Sequence, residues 1–277
     1  MTCNGSASLL STVVAATKRL VQVRAETRPL ADLDRETRAR SPRGAAFVEA
    51  LARTDHVNVI AECKRRSPAR GLLRSTYDPA AIAEEYEAAG AAAISVLTEP
   101  TFFDGHPAHL TAVRETVGVP VLRKDFIVDQ YQLHEARAMG ADAVLLIVAA
   151  LDEAALMSLL REARSLGLAA LVEVHDEREL ATALRAGAFV IGVNNRNLQT
   201  LEVSLDVAEG LIDAVPDACV AVAESGLRSG ADLARLRERG YDAFLIGERF
   251  MAAPSPGRAL AEVIEQTSAL TERRASL

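Results

Sequence analysis

With 277 residues, and 31 Lys and Arg against 38 Asp and Glu for a formal net charge of −7, the chain suits one large α/β domain and excludes a broad basic surface for nucleic acid. Three cysteines, Cys3, Cys63 and Cys219, are odd in number and far apart, with no Cys-x-x-Cys and no His pair at metal spacing, so a reducing cytoplasm and no metal are expected. No uncharged stretch could span a bilayer, and the mildly apolar segment 8–17 lacks a preceding basic residue, so a soluble, unprocessed protein with no membrane partner is expected.

Leu9 to Arg24 and Ala45 to Ala52 read as helices joined by a charged segment, and residues 1–56 are expected to form an N-terminal extension. Apolar runs then recur near 57–62, 92–97, 119–124, 143–148, 169–173, 189–194, 219–224 and 243–246, each short enough for a buried strand. Helical patterns alternate with them. Asp78-Pro79 opens one that turns Ile82, Tyr86 and Ala89 inward, and 152–166 places Leu156, Leu159, Leu160 and Ala163 on one face. Gly90, Gly140, Gly167, Gly187 and Gly240 stand where helices end, each just before a new apolar run. Eight β-α units in one chain, with no G-x-G-x-x-G after the first strand, predict a (βα)8 TIM barrel as a single domain over 1–277, whose extension caps the barrel or flanks its mouth.

Charge is concentrated where these runs end: Glu62 and Lys64, Lys124, Glu173, Asn194 and Arg196, Glu224 and Ser225. Any one pair could be ordinary loop charge, but five strands ending this way argue for one site, because barrels bind ligands at the carboxyl ends of their strands. Glu62 and Lys64 are two apart and point the same way, which turns Cys63 toward the helices as core. A lysine among apolar walls and other cations is expected to have a lowered pKa, and a glutamate beside apolar rings a raised one. Ser225-Gly226 and Gly247-Glu248 follow strands seven and eight, where many barrels hold phosphate. Of the five histidines, at 56, 106, 109, 134 and 175, His175 lies two beyond Glu173 and so could support it from behind, but it is expected in a partly exposed loop. Residues 271–274 are expected to fray.

The segment Ile60-Ala61-Glu62-Cys63-Lys64-Arg65-Arg66-Ser67-Pro68-Ala69-Arg70-Gly71 resembles the first-strand signature of the indole-3-glycerol-phosphate synthase family. The resemblance continues in Ser95 to Glu99 with Phe102-Phe103, Leu122 to Ile127, Leu171 to His175, Gly192 to Leu198, Ala223 to Gly226 and Phe244 to Glu248, and so spans nearly the whole chain. Ala69 stands where a second serine is common, and Arg249-Phe250 replaces smaller residues.

What the resemblance implies is a carboxy-lyase of tryptophan biosynthesis that needs no cofactor. It would convert a small phosphorylated substrate, 1-(2-carboxyphenylamino)-1-deoxyribulose 5-phosphate, to indole-3-glycerol phosphate with loss of carbon dioxide and water. Lys124 would protonate the carbonyl oxygen during ring closure. Lys64 would anchor the carboxylate or phosphate and serve as acid in the dehydration, with Glu62 as base and Glu173 positioning the amine. Asn194, Arg196, Glu224 and Ser225 would orient the sugar and carboxylate, Ser67, Gly226, Gly247 and Glu248 would surround the phosphate, and Phe126 would wall the anthranilate ring. The expected state is a monomer or weak homo-oligomer. A sibling isomerase barrel, a barrel kept only for binding, and the same chemistry serving a specialised product remain as rivals.

Overall fold

The structure, a computed structural model, describes residues 9–37, 41 and 43–275. Eight parallel strands close into a barrel in chain order: β1 Asn58–Cys63, β2 Ala93–Leu97, β3 Val121–Lys124, β4 Ala143–Ile147, β5 Ala169–Val174, β6 Val190–Asn194, β7 Val220–Glu224 and β8 Ala243–Ile246. Closure is direct, since β1 pairs in register with β2 through Ile60↔Ala93 and with β8 through Ile60↔Leu245.

Alternation along the strands divides the apolar residues into two cores. Ile60, Leu122, Leu145, Leu171, Val222 and Leu245 fill the barrel interior. Val59, Ala61, Cys63, Val96, Val144 and Val172 face outward against the helices. Cys63 is therefore core, and burial pushes its thiol pKa up. Cys63 and Cys219 are free thiols, and Cys3 lies outside the described residues.

Helix ends follow the sequence signals. Asp78 accepts hydrogen bonds from Ala80 and Ala81 at the start of α4 (Pro79–Ala88), and Asp129 forms a capping box with Gln132 at the start of α6 (Gln130–Met139). Gly140 ends α6 at φ 87°, a left-handed conformation that costs a residue with a Cβ about 1–2 kcal/mol. The segment 271–274 belongs to α12 (Pro256–Ala275) rather than to a frayed end. No helix among the described residues is long and apolar enough to cross a membrane.

Among the described residues, the N-terminal extension holds three helices, α1 Leu9–Thr27, α2 Leu30–Thr37 and α3 Gly44–Leu51. The charged joining segment thus contains α2, whose sequence LADLDRET buries only Leu33. Helix α3 plugs the amino-terminal end of the barrel with Phe47 and Leu51, which belong to the interior core. It approaches closely because Gly44 has no side chain: a Cβ there would lie 2.5 Å from the backbone N of Ala169. Helices α1 and α2 pack on α6. The Tyr131 hydroxyl donates to Arg28 O at 2.9 Å, and His134 Nδ1 lies 2.6 Å from Asp34 Oδ1.

One buried ionic network ties this extension to the third strand. Arg24 of α1 lies 2.8 Å from Glu135, and Glu135 lies 3.3 Å from Arg123, which turns outward from β3 and also meets Asp125 at 2.9 Å. Arg123 is fully buried, and its Nη1 donates to Gln132 O at 2.8 Å. Removing one member of such a network strands the opposite charges without water. Arg123→Ala is predicted to lower unfolding free energy by about 3–5 kcal/mol, read from the midpoint of urea denaturation; a loss under about 1 kcal/mol would show that the network does not hold the fold.

Candidate active site

Above the apolar interior, the next inward position of the strands is polar. Glu62 stands at the carboxyl end of β1, Lys124 of β3, Glu173 of β5, Asn194 of β6 and Glu224 of β7, each the last or next-to-last residue of its strand, and all five line one cavity of about 530 Å³ at that end of the barrel. Lys64, Ser67, Phe126, Arg196, Ser225, Gly226, Gly247 and Glu248 line the same cavity, so every residue singled out from the sequence for the site borders one space.

Lys124 Nζ sits 3.0 Å from Glu173 Oε2 and 3.2 Å from Glu224 Oε2. Beside them, Lys64 Nζ lies 2.5 Å from Glu62 Oε1. The expectation of a lysine depressed by other cations fails for Lys124. Burial pulls its pKa down, but the charges of Glu173, Glu224 and Glu62 outweigh burial and raise it above the ordinary lysine value. Glu173 moves the other way. Burial raises it, yet Lys124, His175 and a hydrogen bond from Asn194 hold it well below the usual carboxylate range. Burial and the charge of Glu173 outweigh the pull of Lys124 on Glu224, which is pushed up to about 7. Two glutamates on one ammonium are therefore inequivalent, with Glu173 driven toward its charged form and Glu224 pushed toward its neutral form.

Glycines give two of these carboxylates their places. A Cβ on Gly192, in β6, would collide with Glu224 Oε1, and a Cβ on Gly247, just after β8, would collide with Glu62 Oε1. Strand register brings them together, since Gly192 pairs with Val222, two residues before Glu224, and Ala61 pairs with Ile246. Gly247 has φ −126°, so what it supplies is room rather than a left-handed turn.

The rim beyond β7 is a tight turn in which Ser225 and Gly226 both have positive φ, 65° and 78°. Buried Asn195 holds it: Nδ2 donates to Glu224 O at 3.0 Å and to Ser225 O at 3.1 Å, while Oδ1 accepts from Ala208 N at 2.9 Å. Glu248 begins the short helix α11 (Glu248–Met251), and its carboxylate lies 3.4 Å from both Arg196 and Arg70. Ser67 Oγ accepts from Arg70 N at 3.2 Å in the loop after β1.

Aromatic rings form the opposite wall. Phe103 and Phe126 pack with centroids 6.3 Å apart, and Glu99 fixes the loop carrying Phe102 and Phe103 by accepting their backbone N–H groups at 2.7 and 3.2 Å. Leu9, Leu10 and Val13 of α1 roof the cavity, so the extension flanks the mouth with one helix and plugs the far end with another. The sequence placed the extension at the barrel or its mouth but did not single out these three residues, because an apolar stripe on an isolated helix carries no address.

His175 stands just past β5 in a partly exposed loop, as expected, and it also meets the site. Its side chain is 14% exposed, with Nε2 3.3 Å from Glu173 Oε1 and Nδ1 2.9 Å from Glu179 Oε2. The alternation that aims Glu173 inward continues for two residues beyond it, which was legible in the spacing.

A closed barrel that gathers two lysines and three glutamates at its strand ends, between an aromatic wall and a glycine-rich rim, is a (βα)8-barrel enzyme of the acid–base kind. The chain belongs to the indole-3-glycerol phosphate synthase family, whose family model matches residues 10–263. It is 46% identical over 258 residues to an indole-3-glycerol phosphate synthase of Laribacter hongkongensis, covering 92% of this chain and 98% of that one. A second, from Aromatoleum aromaticum, is 46% identical over 254 residues, covering 91% and 97%. Among solved structures, 3-hexulose-6-phosphate synthase from Salmonella typhimurium superposes with a TM-score of 0.61 at 16% identity, covering 76% of this chain and 99% of that one, a likeness of fold alone.

The contact between Gly192 and Glu224 makes a prediction. Gly192→Ala is expected to leave the barrel folded, as judged by circular dichroism, but to displace the Glu224 carboxylate and cut turnover on the order of a hundredfold, the usual consequence of misplacing a group by ~1 Å. Wild-type kinetics in the alanine variant would mean that the position of Glu224 is immaterial.

Proposed function

We propose that the cluster closes the indole ring of 1-(2-carboxyphenylamino)-1-deoxyribulose 5-phosphate, releasing carbon dioxide and water to give indole-3-glycerol phosphate. The observation that carries this reading is the Lys124 ammonium held within 3.2 Å of both Glu173 and Glu224 in a cavity walled by Phe102, Phe103 and Phe126. The rings suit the planar anthranilate end, and the glycine-rich rim suits the phosphate end.

The aromatic carbon that bears the carboxylate attacks the ribulose carbonyl. Negative charge develops on the carbonyl oxygen, and Lys124 delivers a proton to it. Three neighbouring carboxylates keep Lys124 fully charged beforehand, and an alkoxide is basic enough to take its proton. Carbon dioxide then leaves, and its bonding electrons restore aromaticity. In the dehydration, Lys64 protonates the departing hydroxyl while Glu62 removes the proton from the adjacent ring carbon. These two groups stand 2.5 Å apart, so a transfer from Glu62 back to Lys64 returns both to their starting states. Glu173 positions the amine and offsets its developing positive charge. Asn194, Arg196, Glu224 and Ser225 orient the sugar and carboxylate.

Ser67 and the backbone at Gly226, Gly247 and Glu248 surround the phosphate in this reading. The tight turn at Ser225-Gly226 and the start of α11 support it, with Arg196 and Arg70 beside Glu248 supplying the positive field. The chain acts as one domain with residues 1–56 as its extension, in the cytoplasm, within tryptophan biosynthesis, and as a monomer or weak homo-oligomer. The free thiols Cys63 and Cys219 suit a reducing compartment.

Purified protein given the carboxyphenylamino substrate is expected to produce indole fluorescence, and Lys124→Ala is expected to lower kcat on the order of a hundredfold or more with the fold intact. Absence of product from the wild type removes the assignment, and near-normal rates in the variant remove Lys124 as the acid. Inorganic phosphate is predicted to inhibit competitively, and Gly226→Val to weaken that inhibition about tenfold or more by displacing the turn, since a side chain there is strained at φ 78° and meets Val203 and Leu205. Inhibition unchanged in that variant would place the anion elsewhere.

A further inference from the structure

Glu173 has two carboxylate oxygens with separate partners. Oε2 lies 3.0 Å from the Lys124 ammonium, and Oε1 lies 3.3 Å from Nε2 of His175. The imidazole is held from behind as well. Nδ1 meets Glu179 Oε2 at 2.9 Å, and the backbone N–H of His175 donates to that same oxygen at 2.9 Å. Glu179 is fixed in turn, because it lies in the first turn of α8 (Glu177–Arg185), where its backbone N–H donates to the capping carboxylate of Asp176 at 2.8 Å. A row of alternating charge therefore runs Glu179, His175, Glu173, Lys124, Glu224 across the mouth of the barrel.

We propose that His175 is a positioning residue for the ring closure: an imidazolium clamped between Glu179 and Glu173 keeps Glu173 ionised, occupies its Oε1, and so leaves Oε2 to hold Lys124 in line with the substrate carbonyl. This rests on the reaction assigned above. Without His175, Glu173 would lose the partner of Oε1 and its second cation, leaving only Lys124 and Asn194 to hold the carboxylate. It could rotate, and it could take a proton, and either change releases Lys124.

The charged groups facing the ring are Glu173 on its own strand, Glu179 on α8, and Arg196 and Glu202, which border with it a second cavity beyond β6. Burial works against the protonated ring, but the two carboxylates outweigh burial and push its pKa up to about 10. A histidine whose folded pKa lies above its unfolded value of roughly 6.5 stabilises the fold fully below that value. That contribution is lost as pH rises through about 10.

Two measurements test the clamp, and the first needs no substrate. In the wild-type protein, the His175 ring followed by 1H–15N NMR is expected to remain protonated well above neutrality, and in Glu173→Gln to lose its proton at distinctly lower pH. A ring already neutral at pH 7, or one indifferent to Glu173, overturns the proposal whether or not the protein turns over the substrate. The second is kinetic. In His175→Gln, kcat is expected to fall about tenfold, within the range over which partners in one network couple. KM should change little, and the acid limb of the pH profile should move to higher pH because Glu173 has lost a cation. His175→Lys, which keeps the charge, is expected to return that limb toward the wild-type position. A folded His175→Gln enzyme with unchanged kcat and an unmoved limb overturns the proposal, as does a fall in kcat with no movement of the limb, which would mark His175 as only structural. Should the wild type fail to make product while the NMR outcome holds, the assigned reaction fails and the clamp stands.

Discussion

An ammonium group taken out of water must be met by negative charge, and here that charge comes from strands that are not neighbours. Lys124 stands at the carboxyl end of β3, Glu173 at that of β5 and Glu224 at that of β7. Only a closed barrel with inward positions in common register lets side chains from alternate strands meet over one axis. Burying a cation among carboxylates is favourable only when each oxygen is also placed by something else. Asn194 and His175 place Glu173, and Gly192 leaves the hollow that Glu224 fills. Apolar packing below, polar pairing at the rim and the absence of side chains at two glycines are thus conditions on the same cluster.

The same cluster explains why its carboxylates differ. Glu173 and Glu224 both touch Lys124 and both are buried, yet the first is driven toward its charged form and the second toward its neutral form. The distinction comes from the second cation, His175, which only Glu173 has. One glutamate thus keeps a fixed charge while the other can exchange a proton near neutrality.

Much of the architecture was legible because the barrel writes its period into the chain. Eight apolar runs separated by helical patterns marked the strands to within a residue or two, and the five glycines expected at helix ends all have positive φ. Glu62 and Lys64 were readable as partners because spacing by two on a strand is local geometry. The approach of Lys124 to Glu224 was not, since it depends on closure and register across a hundred residues. Nor could Gly192 or Gly247 be seen as hollows, because what fills them is a rotamer on another strand. Helix α2 was hidden by its charge, and the burial of Arg123 was not legible because its partner Glu135 is brought to it only by the packing of α6 beside β3. The direction of the lysine shift was misjudged for a related reason: sequence counts charges but does not say which of them converge.

Glu135 is shared between Arg24, on the helix that shelters the cavity, and Arg123, the residue next to Lys124 in the chain. That helix is consequently not a detachable cover. Its far end is tied through Glu135 to an arginine of the strand that presents Lys124, so any sliding of the cover pulls on the ammonium's own support. A substitution at Arg24, far from the cavity, therefore acts on the strand that carries Lys124.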